Sequence, residues 1–341
     1  MKILLVSADR TTDSGFPQNI GDALLTDALA GALGALEHDV RVVDMGPTVR
    51  RESAVARIAV AGPAALRRAV AWSDAVVVGG GTLLADDQPQ RLFAGLPRLC
   101  LTTAILTVVH RKKLAVFGVG VDPVRRRRAR LAIAVVLRLA AVWIRDDDSA
   151  ARASRLVGGR RFRVCGDVSL FRHPEIAEQA DAHRERNGVV VALNRREAAR
   201  LRPEDVGVLR SRYGSVRFLS MDQGEDADAA HLVRAVRHQA SVIDGPVRWP
   251  QAVASIVGAK AILASRMHAM YIASMASVPV VAIGDAAKVR SFVADFGVAH
   301  AATLSGACSV EGRTDAGLLQ IQIARLTAAI TQLEEWLDAP R

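Results

Sequence analysis

Ser265, Arg266 and His268 sit in the stretch AILASRMHAMYIASM, where the apolar run Ala261 to Ala264 gives way to a helical pattern over Met267 to Ala276. That puts all three at a strand-to-helix turn, the place where ligands bind in an open α/β sheet. A helix starting here leaves the backbone N–H groups of Met267, His268 and Ala269 without intrahelical partners. Ser265 is the expected N-cap, and the remaining donors favour an anion. Arg266 adds a fixed positive charge, His268 a titratable group, and Lys288 a second cation at the next strand-to-helix junction. Together they form a corner able to hold an anion and move a proton. A plainer reading stands beside it, because His268, Ile272 and Met275 also share one helical stripe, where a histidine can simply be packed.

Other strand ends carry comparable groups. After the first strand, Asn19, Gly21 and Asp22 lie where a loop enters a helix, placed to cap it or to bond a ligand hydroxyl. The glycine spacing is not GxGxxG, which argues against a dinucleotide site. The third strand ends in VVVGGGTLL, whose Gly79, Gly80 and Gly81 let backbone approach a ligand closely. Asp86 and Asp87 follow, as carboxylates for a sugar hydroxyl or as helix caps. The fifth strand ends in IRDDD, where Asp147 or Asp148 is the expected cap and Arg145 a structural residue. In the second half, Asn194, Arg195 and Arg196 directly follow a strand, and either arginine can meet an anion near Arg266.

The elements that position these residues alternate strand and helix twice. In the first half the apolar runs are Ile3 to Ser7, Val40 to Asp44, Ala75 to Val78, Leu114 to Phe117 and Ala141 to Ile144, with helical patterns between them, one of them over Ser53 to Trp72. The rhythm restarts with Val189 to Leu193, Val216 to Ser220, Ser241 to Ile243, Ala261 to Ala264 and Val278 to Ile283, with a helix expected over Ala227 to Gln239 among others. This is the pattern of two Rossmann-like, doubly wound parallel sheets facing a cleft. The expected boundaries are 1–172 for the first domain, 173–187 for a polar linker, and 188–312 for the second domain. Residues 313–341 form a C-terminal helix whose Leu319, Ile323, Leu326, Ile330, Leu333 and Leu337 make one apolar seam, for packing across the domains or for dimerisation.

Composition narrows the partners. The formal charge of +10 suits anionic ones, whereas 4% aromatic residues and basic runs without interleaved aromatics argue against nucleic acid. The run Arg125 to Arg130 is either a solvated helix face or a contact for an anionic membrane or a lipid-linked phosphate. The dispersed cysteines Cys100, Cys165 and Cys308 argue for a reducing compartment and against a zinc site. With too short an apolar stretch at the N-terminus for a signal peptide, a cytoplasmic protein is expected, at most peripheral to the inner face of the membrane.

Taken together, NIGDALL (Asn19 to Leu25), VVGGGTLL (Val77 to Leu84), FGVGVDP (Phe117 to Pro123), the pair Arg145 and Asp146, ASRMHA (Ala264 to Ala269) and VPVVAI followed by Lys288 resemble the polysaccharide pyruvyl transferase family, in that family's order. The resemblance implies a fold like type B glycosyltransferases, abbreviated GT-B. It also implies transfer of a pyruvyl group from phosphoenolpyruvate to sugar hydroxyls as a ketal, on a polysaccharide, glycolipid or lipid-linked glycan precursor. Phosphoenolpyruvate is then the donor substrate, with no cofactor or metal, and the first domain is the acceptor side. Arg266 and His268 match the family's arginine-x-histidine motif, implying donor binding and acid/base work, with Ser265 and Lys288 also on the donor side. A second donor-binding arginine is implied after the strand that begins the second domain. There the family's serine-leucine-arginine is replaced by Ala192-Leu193-Asn194, which moves the role to Arg195 or Arg196. Asp22 or Asp86 would activate the acceptor, bound by Asn19, Gly21 and Gly79 to Gly81. The alternatives are a nucleotide-sugar glycosyltransferase on the same architecture and a non-catalytic glycan- or phosphate-binding relative.

Overall fold

The computed structural model describes residues 1–341 apart from 45–47, 51–52, 54, 61, 87–94, 184, 224–230, 233, 235, 237, 244–246 and 341. The chain divides into two compact units. Met1–Gly15, Leu24–Phe171 and Ile323–Arg341 form the first, and Phe16–Ala23 with Arg172–Gln322 the second.

The first unit holds a parallel sheet of β1 (Lys2–Val6), β2 (Asp39–Asp44), β3 (Ala56–Ala59), β4 (Ala75–Gly79), β5 (Lys113–Val119), β6 (Ala141–Ile144) and β7 (Arg163–Val164), in the order β3-β2-β1-β4-β5-β6-β7. The central strands are near-continuous apolar runs, and β1, β4 and β5 are buried along almost their whole length, as expected of a parallel sheet covered on both faces. Gly79 is required by packing, because a Cβ there would lie 2.4 Å from Leu29 Cδ2. Gly80 and Gly81 adopt φ of 75° and 77°, conformations that side chains disfavour.

The helix expected over Ser53 to Trp72 is instead an edge strand, β3, followed by a helix only from Pro63 to Trp72. Helical spacing was overridden by ion pairing. Arg57 on β3 is buried with its guanidinium 2.6 Å from Asp44, 3.0 Å from Asp9 and 3.1 Å from Asp27. Arg50 joins the cluster, 2.7 Å from Asp9 and also bonded to Asp27. The extended backbone of Ala56–Ala59 carries Arg57 to these carboxylates.

The C-terminal helix, Ala316–Asp338, joins the first unit from Ile323 onward. Trp336 meets Trp143 edge-on at 6.3 Å between ring centres, and Trp143 Nε1 donates to Gln332 Oε1 at 3.2 Å. At the helix end Lys113 Nζ donates to the carbonyls of Trp336 and Leu337, at 2.9 and 2.6 Å, and to that of Ala339. A cation there satisfies carbonyls that the helix leaves open and opposes its dipole. Replacing Lys113 by methionine should lower stability by about 2 kcal/mol. This should appear as a lower urea midpoint at unchanged slope; an unmoved midpoint would show that the anchor contributes nothing.

The second unit holds a parallel sheet in the order β10-β9-β8-β11-β12-β13, from β8 (Val189–Ala192), β9 (Val216–Leu219), β10 (Ser241–Ile243), β11 (Ala261–Ala264), β12 (Val280–Ile283) and β13 (Ala299–Ala301). The segment read as a linker contains a helix, His173–Ala182, which buries Ile176 and Ala180. Its Pro174 is compatible because it stands in the first turn, where a missing N–H breaks no helical bond. The helix expected over Ala227 to Gln239 falls largely outside the described residues.

All three cysteines are free and buried, which pushes the thiols of Cys100 and Cys165 up to about 12 and that of Cys308 to about 11. Among the described residues no helix is long and apolar enough to cross a membrane.

Candidate functional site

β11 lies between β8 and β12, and its carboxyl end delivers Ser265 and Arg266. Ser265 does not cap the following helix. It is buried, and its hydroxyl accepts the Asn194 N–H at 2.7 Å, while the N–H groups of Ser265 and Arg266 share the Ala192 carbonyl at 3.0 and 3.3 Å. Ser265 therefore ties the ends of β8 and β11 together. The capping position belongs to Arg266, and the helix Met267–Met275 begins without a side-chain cap.

Every residue of that helix from Ala269 to Met275 is buried, and His268 stands at its half-buried start. The imidazole stacks on Tyr271 at 6.3 Å, and Tyr271 in turn meets Phe292 and Phe296 edge-on at 4.9 and 5.1 Å. On another side lies Gly21, so close that a Cβ on it would stand 2.0 Å from His268 Nδ1. Only a residue without a side chain fits there. The glycine of NIGDALL and the histidine of ASRMHA, far apart in sequence, form one contact.

The segment carrying Gly21 is fixed to the end of β9. Ile20 N–H donates to the Met221 carbonyl at 3.0 Å, Gln223 N–H to the Gln18 carbonyl at 2.6 Å, and Asn19 forms an antiparallel bridge with Asp222. Asn19 Oδ1 accepts from the N–H groups of Gly21 and Asp22 at 2.8 and 3.2 Å, closing the first turn of the helix Ile20–Ala35. Asp222 also reaches Arg266, with Oδ2 3.9 Å from Nη2. Asn19, Gly21, Ser265, Arg266 and His268 are thus gathered at one end of the second sheet, with Asp22 next to Gly21 along the chain.

Arg195 and Arg196 open a one-turn helix, Arg195–Ala198, capped by Asn194, whose Oδ1 accepts the Glu197 N–H at 2.9 Å. Both arginines are exposed, and Arg196 lies 3.8 Å from the Glu197 carboxylate. Lys288 is exposed in the first turn of the helix Ala287–Phe296, after β12. These three cations occupy strand ends on either side of β11.

Two acidic residues of this neighbourhood escape a motif reading. Asp222 comes three residues after β9 ends, so its place in the loop after a parallel strand is a signal in the sequence. Glu197 is buried, 3.4 Å from Arg200, and a Cβ on Gly284 would approach its Oε1 at 3.6 Å. Only the fold shows that Glu197 reaches the end of β12.

In the first unit, Asp86 Oδ2 accepts the backbone N–H groups of Arg125 and Arg126 at 3.0 and 3.1 Å, which pins the approach to the helix Arg127–Leu139. This is the capping alternative for Asp86; Asp87 lies outside the described residues. Gly79, Gly80 and Gly81 have the packing and backbone reasons given above. The cap of the helix Asp147–Leu156 is Asp146, not Asp147 or Asp148, and it accepts the Ser149 N–H at 2.7 Å. Burial raises the Asp146 carboxyl, but Arg145 at 2.9 Å and the bonds from Ser149 outweigh it and hold the group below the usual carboxylate range.

The family model for polysaccharide pyruvyl transferases matches residues 19–285. The span begins at Asn19 and takes in Gly21, Asp222, Arg266 and His268. The chain belongs to the polysaccharide pyruvyl transferase family. It is accordingly a transferase of the pyruvyl-transfer type that uses phosphoenolpyruvate as donor. Lys288 lies just beyond the matched residues. No significant match is found among curated proteins. The fold is similar to that of UDP-GlcNAc 2-epimerase from Methanocaldococcus jannaschii, with TM-score 0.56 and 12% identity over 96% of this chain and 93% of that one. It is also similar to UDP-GlcNAc 2-epimerase from Neisseria meningitidis bound to UDP-GlcNAc, with TM-score 0.55 and 12% identity over 100% of this chain and 95% of that one. At such identity the likeness shows the fold, a GT-B-like pair of Rossmann-like domains.

Proposed function

We propose that this pyruvyltransferase builds a ketal across two neighbouring hydroxyls of a sugar-containing acceptor, with Arg266 holding the donor and His268 delivering its proton. The observation that carries this reading is the close seat of His268 on Gly21, beside an arginine at a helix start that has no side-chain cap.

Phosphoenolpyruvate carries a phosphate and a carboxylate. A guanidinium pairs with either through two parallel hydrogen bonds, and a helix N-terminus adds dipolar attraction. Asp222 orients Arg266 from one side. Arg195 or Arg196 supplies a second cation, and Lys288 is a further donor-side candidate. His268 protonates the methylene carbon, creating an oxocarbenium-like centre at C2. The first acceptor hydroxyl attacks that centre and gives its proton to a base. The bond from C2 to the phosphate oxygen then breaks, inorganic phosphate leaves, and the second hydroxyl closes the ketal while losing its proton. Of the two protons released, one replaces the proton given to the methylene carbon and the other leaves with phosphate. Asp22 is the better placed base, because Asp86 is bonded to backbone N–H groups.

The test is to incubate the protein with phosphoenolpyruvate and a panel of nitrophenyl and lipid-linked glycosides. Phosphate release should match, mole for mole, the acceptor converted to a pyruvyl ketal, as read by mass. Phosphate released while no acceptor gains mass, or no release with any acceptor, would sink the reading.

A further inference from the structure

Among the described residues, the exposed large apolar side chains are not scattered evenly. Five of the nine, Ile105, Val108, Val109, Leu131 and Leu139, stand on two helices of the first unit, Leu96–Val109 and Arg127–Leu139, and the two most exposed of all are Val109 at 67% and Leu131 at 66%. These helices follow the adjacent strands β4 and β5, and they pack against each other. Each turns its inner residues to the core: Cys100 and Ala104 on one, Ile133, Val136 and Leu137 on the other. That leaves Ile105, Val108 and Val109, and Leu131 and Leu139, on the outer faces.

The charges carried by these two helices are all of one sign. Neither helix contains an acidic residue, while Arg98, Arg127, Arg128, Arg130 and Arg138 lie on them and Arg125, Arg126 and Arg111 flank them, all exposed. We infer that this surface docks the protein on an anionic lipid bilayer, with the arginines meeting lipid phosphates and the apolar side chains entering the headgroup boundary. Apolar residues surrounded by cations suit that surface, since the attraction to anionic lipid and the burial of apolar area add. Nucleic acid fits poorly, because neither helix carries an aromatic residue for base stacking. A second copy fits poorly as well, because a two-fold contact through this face would set arginine against arginine. The inference is independent of the transfer chemistry, since none of these residues belongs to the candidate site.

The test is co-sedimentation of the full chain with vesicles of phosphatidylcholine alone and of phosphatidylcholine mixed with phosphatidylglycerol. Two triple variants separate the contributions: Arg127→Gln with Arg128→Gln and Arg130→Gln, and Ile105→Gln with Val109→Gln and Leu131→Gln. All six positions are exposed, so melting temperature and transfer to a water-soluble acceptor should match the parent. The parent should pellet with the mixed vesicles and not with phosphatidylcholine alone. The arginine variant should bind the mixed vesicles on the order of 100-fold more weakly, at about five-fold for each charge removed. The apolar variant should also bind more weakly, and with a steeper loss in salt. Equal partition to both vesicle types, no binding to either, or parent-like binding by both variants would overturn the proposal. So would a lipid-free dimer that the apolar variant disperses, which would assign the face to a second copy.

Discussion

Replacing Gly21 by alanine should slow turnover by about 10²-fold or more, the cost of displacing a catalytic group by around an ångström. The alanine Cβ would stand 2.0 Å from His268 Nδ1 and 2.6 Å from its Cγ, so the ring has to move. The backbone gives alanine no reason to be unwelcome. Gly21 lies in the first turn of the helix Ile20–Ala35 and is not among the residues with positive φ. In a helix alanine is favoured over glycine by about 1 kcal/mol. A double-mutant cycle with His268→Ala therefore has a definite sign. Gly21→Ala should destabilise the parent, yet leave the His268→Ala protein unchanged or more stable by up to about 1 kcal/mol. His268→Ala should itself cost about 10² to 10⁴ in rate if it is the proton donor, and adding Gly21→Ala to it should cost little more. Steady-state rates and melting curves of the four proteins decide the matter. A Gly21→Ala protein with the parent's rate and melting temperature would remove the histidine from the chemistry.

The largest loss of stability should follow Arg57→Met, by about 3 to 5 kcal/mol, because it strips a buried charge cluster of one of its two cations. Asp9 and Asp27 would keep the Arg50 guanidinium, whereas Asp44 would lose its paired guanidinium and keep the Arg50 backbone N–H. Burial raises the Asp9 carboxyl above the usual carboxylate range, and Arg50 and Arg57 only partly offset it. The folded protein thus holds a proton on Asp9 more tightly than the unfolded chain does. The ionised carboxylate accordingly costs stability as pH rises from the unfolded value through the folded one. Without Arg57 the folded value should rise further, so that window widens towards neutral pH. Urea unfolding of parent and variant should show the gap between them narrowing as the pH is lowered from 7 towards the range of free carboxyls, about 4. A gap below about 1 kcal/mol, or one indifferent to pH, would mean that the cluster is not the clamp for β3.

The fold was legible where elements are long and apolar. β6 and β11 coincide with the apolar runs Ala141 to Ile144 and Ala261 to Ala264, since a parallel strand buried on both faces has to be apolar throughout. Elements held by few residues or by charge were not. β3 depends on Arg57 finding carboxylates from three other segments. β13, β7 and the one-turn helices Arg195–Ala198 and Leu304–Ala307 are too short to display a period. The helix His173–Ala182 was hidden by its polar composition, because only Ile176 and Ala180 point inward.

The candidate site divides along the same line. From residue types and order alone the sequence determined the family, the parallel α/β class and the turn holding Ser265, Arg266 and His268, because strand-end position and motif order are properties of the chain itself. Only the tertiary structure decided what those residues touch. Ser265 faces Asn194 across the sheet instead of capping its own helix, Asp86 is bound to backbone, Asp222 reaches Arg266, and Gly21 lies against the imidazole of His268. The physical reason is distance along the chain. A cap or a helical stripe is settled within a few residues, whereas a contact between positions 21 and 268 exists only once β9 and β11 have brought their carboxyl ends to one place.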